Sequence, residues 1–222
     1  MEACRLSVCR LLMQDGSPVG QAAILRAIDV LGSLGLRPQE CERLRAVSGE
    51  SARRQSVGAR LAMLWAMNED GRLVHAFDEL PTMVSDNARR RFAALFRGQS
   101  DEPLLEGGIG FVSFAHSASL AVCAFCEDGA IGVDVEPLAR HLPHAKAIAE
   151  RYFSPGERQQ LAAAEDAERE FLRIWTRKEA LAKALGTGLS ADAGALDTTA
   201  CPDGRFLACE IEGETVSACI LK

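Results

Sequence analysis

Residues 109–136 read as extended chain broken by turns, and the residues on both sides of them read as helix. That order restricts the chain more than any other feature, because an extended centre with helical flanks must bury one face of a sheet under helices. Within the centre, E-D-G at residues 127–129 is the sharpest turn signal and predicts a hairpin between A-V-C-A-F and A-I-G-V-D-V. Apolar residues at helical spacing cover residues 20–36, stopped by Gly35 and Pro38, then 38–47 with Pro38 in the first turn, then 51–67. Residues 87–96 form a weaker helical segment, and G-Q-S-D-E-P after them is a connection.

Beyond the centre, helices are predicted over 144–152, 154–164 and 167–185. Ser154, Pro155 and Glu157 make a capping box, and Gly186 and Gly188 stop the last helix. The N-terminal C-R-L-S-V-C-R-L-L suggests a strand, and the tail pairs G-R-F-L-A-C-E-I with T-V-S-A-C-I-L across E-G-E. Two long Arg- and Ala-rich helices, one before the centre and one after it, echo each other. The expected fold is α+β, with two similar halves related by a pseudo-two-fold, each a small antiparallel sheet packed with helices. The expected boundary separates residues 1–106 from 107–222.

At 222 residues the chain buries a core without covalent staples, and its eight cysteines are too dilute for a disulfide framework. Cys123 and Cys126 form one C-x-x-C in a strand-like segment; buried free thiols are expected there, not a metal site. No run approaches the ~18 apolar residues that cross a bilayer, so the expected protein is reduced, cytoplasmic and without a membrane role. A net charge of −6 argues against a general nucleic-acid binder. Only four of the 25 basic residues are lysines, and two of them, Lys178 and Lys183, stand close together in one helix.

In G-V-D-V-E-P, residues 132–137, Val133 and Val135 point one way while Gly132, Asp134 and Glu136 point the other. Carboxylates about 7 Å apart repel by only ~0.6 kcal/mol in water, so an acidic, solvent-facing sheet surface is the plain reading. In W-T-R-K-E-A-L-A-K, Trp175, Glu179 and Lys183 follow at intervals of four along one helix face. The plain reading there is a solvated Glu-to-Lys pair contributing ~0.2–0.5 kcal/mol. Together the two segments supply three carboxylates and a lysine, which suit a hard divalent ion and phosphate oxygens.

The two motifs in this order and separation, with R-Y-F-S-P-G-E between them and F-A-H-S-A-S-L-A-V-C-A-F before, resemble the 4′-phosphopantetheinyl transferases of the longer, surfactin-synthetase-associated type. The resemblance covers about residues 111–189. It implies transfer of the phosphopantetheine arm of coenzyme A onto a serine of an acyl or peptidyl carrier protein, releasing adenosine 3′,5′-bisphosphate, by a monomer with two similar halves. By position, Asp134, Glu136 and Glu179 would hold Mg²⁺, and Glu179 would help deprotonate the serine, directly or through water. Lys183 would contact the phosphate under attack, with Lys178 near it; His116 and Arg54 would bind coenzyme A phosphates, placing its 3′-phosphate on the N-terminal half. Asp101-Glu102-Pro103 stands where the family has Gly-Lys-Pro, with Arg97 or Arg89–Arg91 as possible substitutes, and Ala115 replaces a usual serine. These departures motivate the alternative of a catalytically silent relative that binds coenzyme A or a carrier without transfer. A third reading is a different Mg²⁺-dependent phosphate enzyme. His116 alone, at a strand end, also suits a structural role, and Trp175 suits the core better than a substrate platform.

Overall fold

The computed structural model describes residues 4–68, 72–97, 103–189 and 194–221. The fold is mixed α+β, as the periodicities predict. The chain divides into two compact units, residues 1–128 and 129–222.

The first unit contains β1 (Cys4–Arg10), α1 (Gln21–Ser33), α2 (Pro38–Ala46), α3 (Glu50–Asn68), β2 (Val74–Ala76) and α4 (Asp86–Ala93). It continues with β3 (Leu95–Arg97), β4 (Pro103–Leu105), β5 (Phe111–His116) and β6 (Leu120–Cys126). Its main sheet has the order β2-β1-β6-β5, and β3 pairs with β4 separately. Helix α1 buries Ile24, Ala27, Ile28 and Leu31, the spacing of a single helical stripe. Helix α3 is buried along every residue from Val57 to Met67 and packs close to the sheet at Gly58, where a Cβ would lie 2.4 Å from Leu11. The buried Arg60 of α3 is held by Glu40 of α2 at 3.1 Å and lies over the Phe114 ring.

Three sequence expectations need correction in this unit. E-D-G joins two strands that do not pair: β6 has β1 on one edge and β5 on the other, and the strand after E-D-G finds its partner at the C-terminus. The compact units therefore divide at E-D-G, and residues 107–128 lie within the first. Cys126 is not a free thiol, because the antiparallel register sets it directly opposite Cys4, with which it forms a disulfide; Cys123 is buried and free. The helix expected over 87–96 stops at Ala93 and the chain turns into β3.

The second unit contains β7 (Ile131–Pro137), α5 (Ala145–Tyr152), α6 (Pro155–Ala162), α7 (Ala167–Leu185), β8 (Gly204–Ile211) and β9 (Glu214–Leu221). Its antiparallel sheet has the order β7-β9-β8, so the tail hairpin forms as predicted and β7 adds to its inner strand. The predicted capping box starts α6: Ser154 Oγ accepts from the Glu157 N–H, and Glu157 accepts from the Ser154 N–H. Helix α7 begins with Asp166 Oδ1 accepting from the Arg169 N–H at 3.0 Å and ends at Gly186, in the left-handed region at φ 67°. No helix among the described residues is long and apolar enough to cross a membrane.

Helix α7 lies against β7 at Gly132. A Cβ there would sit 2.0 Å from the Ala180 carbonyl oxygen and 2.5 Å from the Ala184 nitrogen. Both are backbone atoms of α7 and cannot rotate aside, so only glycine permits this approach. Gly132→Ala should therefore lower stability by about 1–3 kcal/mol or more, read as an earlier midpoint in urea unfolding. A parental midpoint would mean that α7 does not lie this close.

Candidate functional site

The face of β7 that carries Gly132 also carries Asp134 and Glu136, because side chains alternate along a strand. Since α7 covers Gly132, the two carboxylates continue along the same covered face, while Val133 and Val135 are buried on the other. On the helix, Lys183 is one of the residues nearest Gly132, and Glu179 stands one turn before it. The sequence spacing and the close approach together bring the two motifs into contact.

Lys183 Nζ donates to Asp134 Oδ1 at 2.8 Å and to the Val133 carbonyl at 2.9 Å. Glu136 pairs instead with Arg140, four residues on, in the turn where the Arg140 N–H donates to the Pro137 carbonyl at 3.0 Å. Burial pushes the Asp134 carboxyl above its ordinary range; Lys183 opposes that rise and Glu136 adds to it. Burial likewise raises Glu179, with further elevation from Asp134 and Glu136 and relief from Lys183. The three carboxylates thus feel one another. Their oxygens are not gathered for a shared ion: among the described residues no group of three or more His, Cys, Asp and Glu side chains stands close enough to hold a metal. The donor chemistry still suits a hard cation, because two elevated carboxylates and a third nearby are stabilised by added positive charge.

Lys178, expected beside the phosphate, is fully enclosed. Its Nζ donates to Glu157 Oε2 at 2.7 Å and to the Leu196 carbonyl. The other oxygen of Glu157 accepts from the Thr198 N–H at 3.0 Å and the Thr198 hydroxyl at 2.6 Å. Adjacent helix residues point about 100° apart, so Glu179 can face β7 only if Lys178 turns towards α6 and the loop at 196–198. The capping-box glutamate was legible in the sequence; its second task of receiving Lys178 was not. A further contact that sequence reasoning missed is Thr176, whose buried hydroxyl meets that of Ser217 at 2.9 Å, directly beneath the Ser217–Asp134 pair of the β-ladder.

Trp175 packs with Tyr152 edge-on at 5.9 Å and with Phe171 at 6.2 Å, a core role as expected. In the first unit, His116 ends β5 and is exposed, whereas Arg54 is mostly buried in α3 and donates to the Val19 carbonyl at 3.1 Å. Arg91 lies over Phe125 and pairs with Glu127 at 2.8 Å, and Arg89 donates to the Ser33 carbonyl, so two members of the arginine run hold structure. Glu102, with Asp101, lies outside the described residues, as does the side chain of Arg97.

Two predictions follow from this geometry. Lys178→Ala leaves Glu157 as a buried carboxylate without its cation, and should cost about 3–5 kcal/mol in urea unfolding; Glu157→Ala added to it should cost much less than on its own. Glu179→Gln should raise the melting temperature of the ligand-free protein at neutral pH. The unfolded chain releases the Glu179 proton at lower pH than the folded chain does, so ionisation opposes folding as pH rises through that window. The gain should vanish below the ordinary carboxylate range, and a variant that melts lower at neutral pH would contradict it.

Comparison with known proteins places this geometry in context. HetI of Nostoc sp., a 4′-phosphopantetheinyl transferase, is 38% identical over 87 residues, covering 38% of this chain and 36% of that one. Psf-1 of Bacillus pumilus, which bears the same enzyme name, is 35% identical over 95 residues, 42% of this chain and 39% of that one. Slr0495 of Synechocystis sp., assigned to the same activity, is 40% identical over 78 residues, 34% of this chain and 31% of that one. The matched stretch spans only about a third of the length of these relatives. Residues 130–221, from the start of β7 to the end of β9, match the family model of the 4′-phosphopantetheinyl transferase superfamily.

Proposed function

We propose that this chain is a phosphopantetheinyl transferase of the longer, surfactin-synthetase-associated type. It moves the 4′-phosphopantetheine arm of coenzyme A to a serine of an acyl or peptidyl carrier protein. The observation that carries the reading is the contact of β7 with α7 through Gly132, which sets Asp134 and Glu179 around Lys183 inside the segment matched to the superfamily.

The serine oxygen forms a bond to the phosphorus that bears the pantetheine arm, and the pyrophosphate bond to that phosphorus breaks, releasing adenosine 3′,5′-bisphosphate. Asp134, Glu136 and Glu179 would hold Mg²⁺, which when bound supplies positive charge against the pyrophosphate. Glu179 would take the serine proton directly or through water; a carboxylate that also holds a cation is a weaker base, and a bridging water eases that conflict. Lys183, a compact point charge, exchanges Asp134 for a phosphate oxygen. Lys178 acts from behind by fixing the rotation of α7. His116 is the accessible candidate for a coenzyme A phosphate; Arg54 is the second candidate, with part of its guanidinium already engaged by Val19. The chain is proposed to act as a cytoplasmic monomer.

Incubation with coenzyme A, Mg²⁺ and an apo-carrier should add one phosphopantetheine to the carrier, read by mass spectrometry. Asp134→Ala and Glu179→Ala should reduce the rate by at least a hundredfold, as expected when a general base or charge-stabilising group is lost. Coenzyme A bound without any change in carrier mass would favour the silent relative instead.

A further inference from the structure

The carboxylates of Asp134 and Glu136 lie two residues apart on one face of β7, yet each is turned to a different cation of the chain. Lys183 serves Asp134 from within, also bonded to the Val133 carbonyl. Arg140 serves Glu136 from outside: its side chain keeps 49% of its exposure, against 16% for Glu136. The two pairs also differ in how firmly they hold. Lys183 makes two hydrogen bonds from a helix packed directly on Gly132, whereas Arg140 reaches Glu136 across a short turn. An ion pair with one well-exposed member contributes only about 0–1 kcal/mol and is readily exchanged.

We propose that Arg140 is an internal counter-ion that competes with a divalent cation for Glu136, and so sets how tightly the site takes that cation. The proposal rests on the reading of Asp134, Glu136 and Glu179 as cation ligands. It accounts for a feature that the reading leaves open, namely that among the described residues these three carboxylates are not gathered into one cluster. With Arg140 on Glu136 and Lys183 on Asp134, two of the three carboxylates already face a cation of the chain. A divalent cation gains Glu136 only by displacing the guanidinium, which has solvent to move into.

The test measures Mn²⁺ binding to the full chain by the loss of the free-ion electron paramagnetic resonance signal, with no coenzyme A present, and far-ultraviolet circular dichroism as a check on folding. Arg140→Gln removes a unit charge roughly 8 Å from a divalent ion, and should tighten Mn²⁺ binding about three- to tenfold at low salt. Arg140→Lys keeps the charge and should bind within twofold of the parent. Arg151→Gln, the same change of net charge on α5, should leave the affinity alone. Equal tightening in Arg140→Gln and Arg151→Gln would reduce the effect to net charge and overturn the proposal. Unchanged or weaker binding in Arg140→Gln would also overturn it. Asp134→Asn separates the two levels: if the parent binds Mn²⁺ and Asp134→Asn does not, the ligand reading stands whatever Arg140 does. If no chain binds the ion saturably, the ligand reading and the proposal fall together.

Discussion

The contact between α7 and β7 at Gly132 is the constraint on which the candidate site depends. Two backbone atoms of the helix, the Ala180 oxygen and the Ala184 nitrogen, fill the space that any side chain at position 132 would need. Backbone atoms cannot repack as a leucine would, so the separation of helix and strand is fixed where they cross. Once it is fixed, the alternation of β7 delivers Asp134 and Glu136 to the same face, and the helical repeat delivers Glu179 and Lys183. A larger residue at 132 would lift the helix and move Lys183 away from Asp134 before any charge was altered. The small residue in the motif is thus as necessary to this geometry as the acidic ones.

Distance alone does not set the rotation of α7, and here the buried chemistry behind the helix is decisive. Lys178 and Glu157 are both fully enclosed, and their ion pair is completed by hydrogen bonds from Thr198 and the Ser154 backbone to the carboxylate and from the lysine to Leu196. Such a pair contributes little net stability, because desolvation offsets most of the attraction, but breaking it is costly. Its effect is to exclude other rotations. The Thr176–Ser217 hydroxyl contact acts in the same direction from the sheet side. This rigid backing supports a face on which burial disfavours the ionised forms of Asp134 and Glu179.

The sequence disclosed most elements because their periodicities are local. Helix α6 was legible down to its capping box, and α7 to its glycine stop, because caps depend on residues within one turn. What failed was partner choice. E-D-G has good hairpin chemistry, yet β6 finds both neighbours elsewhere and β7 finds β9, some 80 residues on in sequence. Strands β2, β3 and β4 have three residues each, too few to show alternation. The Cys4–Cys126 disulfide joins residues 122 apart, and only the register of β1 against β6 reveals it. At the candidate site, Asp134, Glu136, Glu179 and Lys183 were legible because two periodic motifs pointed to them. Lys178 was misplaced because the sequence fixes its angle from Glu179 but not which of the two faces inward.

The choice of cations at this face follows from where each stands. Lys183 occupies the narrow space beside the helix crossing, where a compact ammonium can reach a backbone carbonyl and a carboxylate at once. Arg140 is the more exposed of the two, and a broad, weakly hydrated guanidinium can hold Glu136 while about half of its side chain remains in water. The two pairs therefore differ in kind more than in depth: their carboxylates are covered to nearly the same extent, while Lys183 holds a backbone carbonyl as well and Arg140 is the more exposed cation.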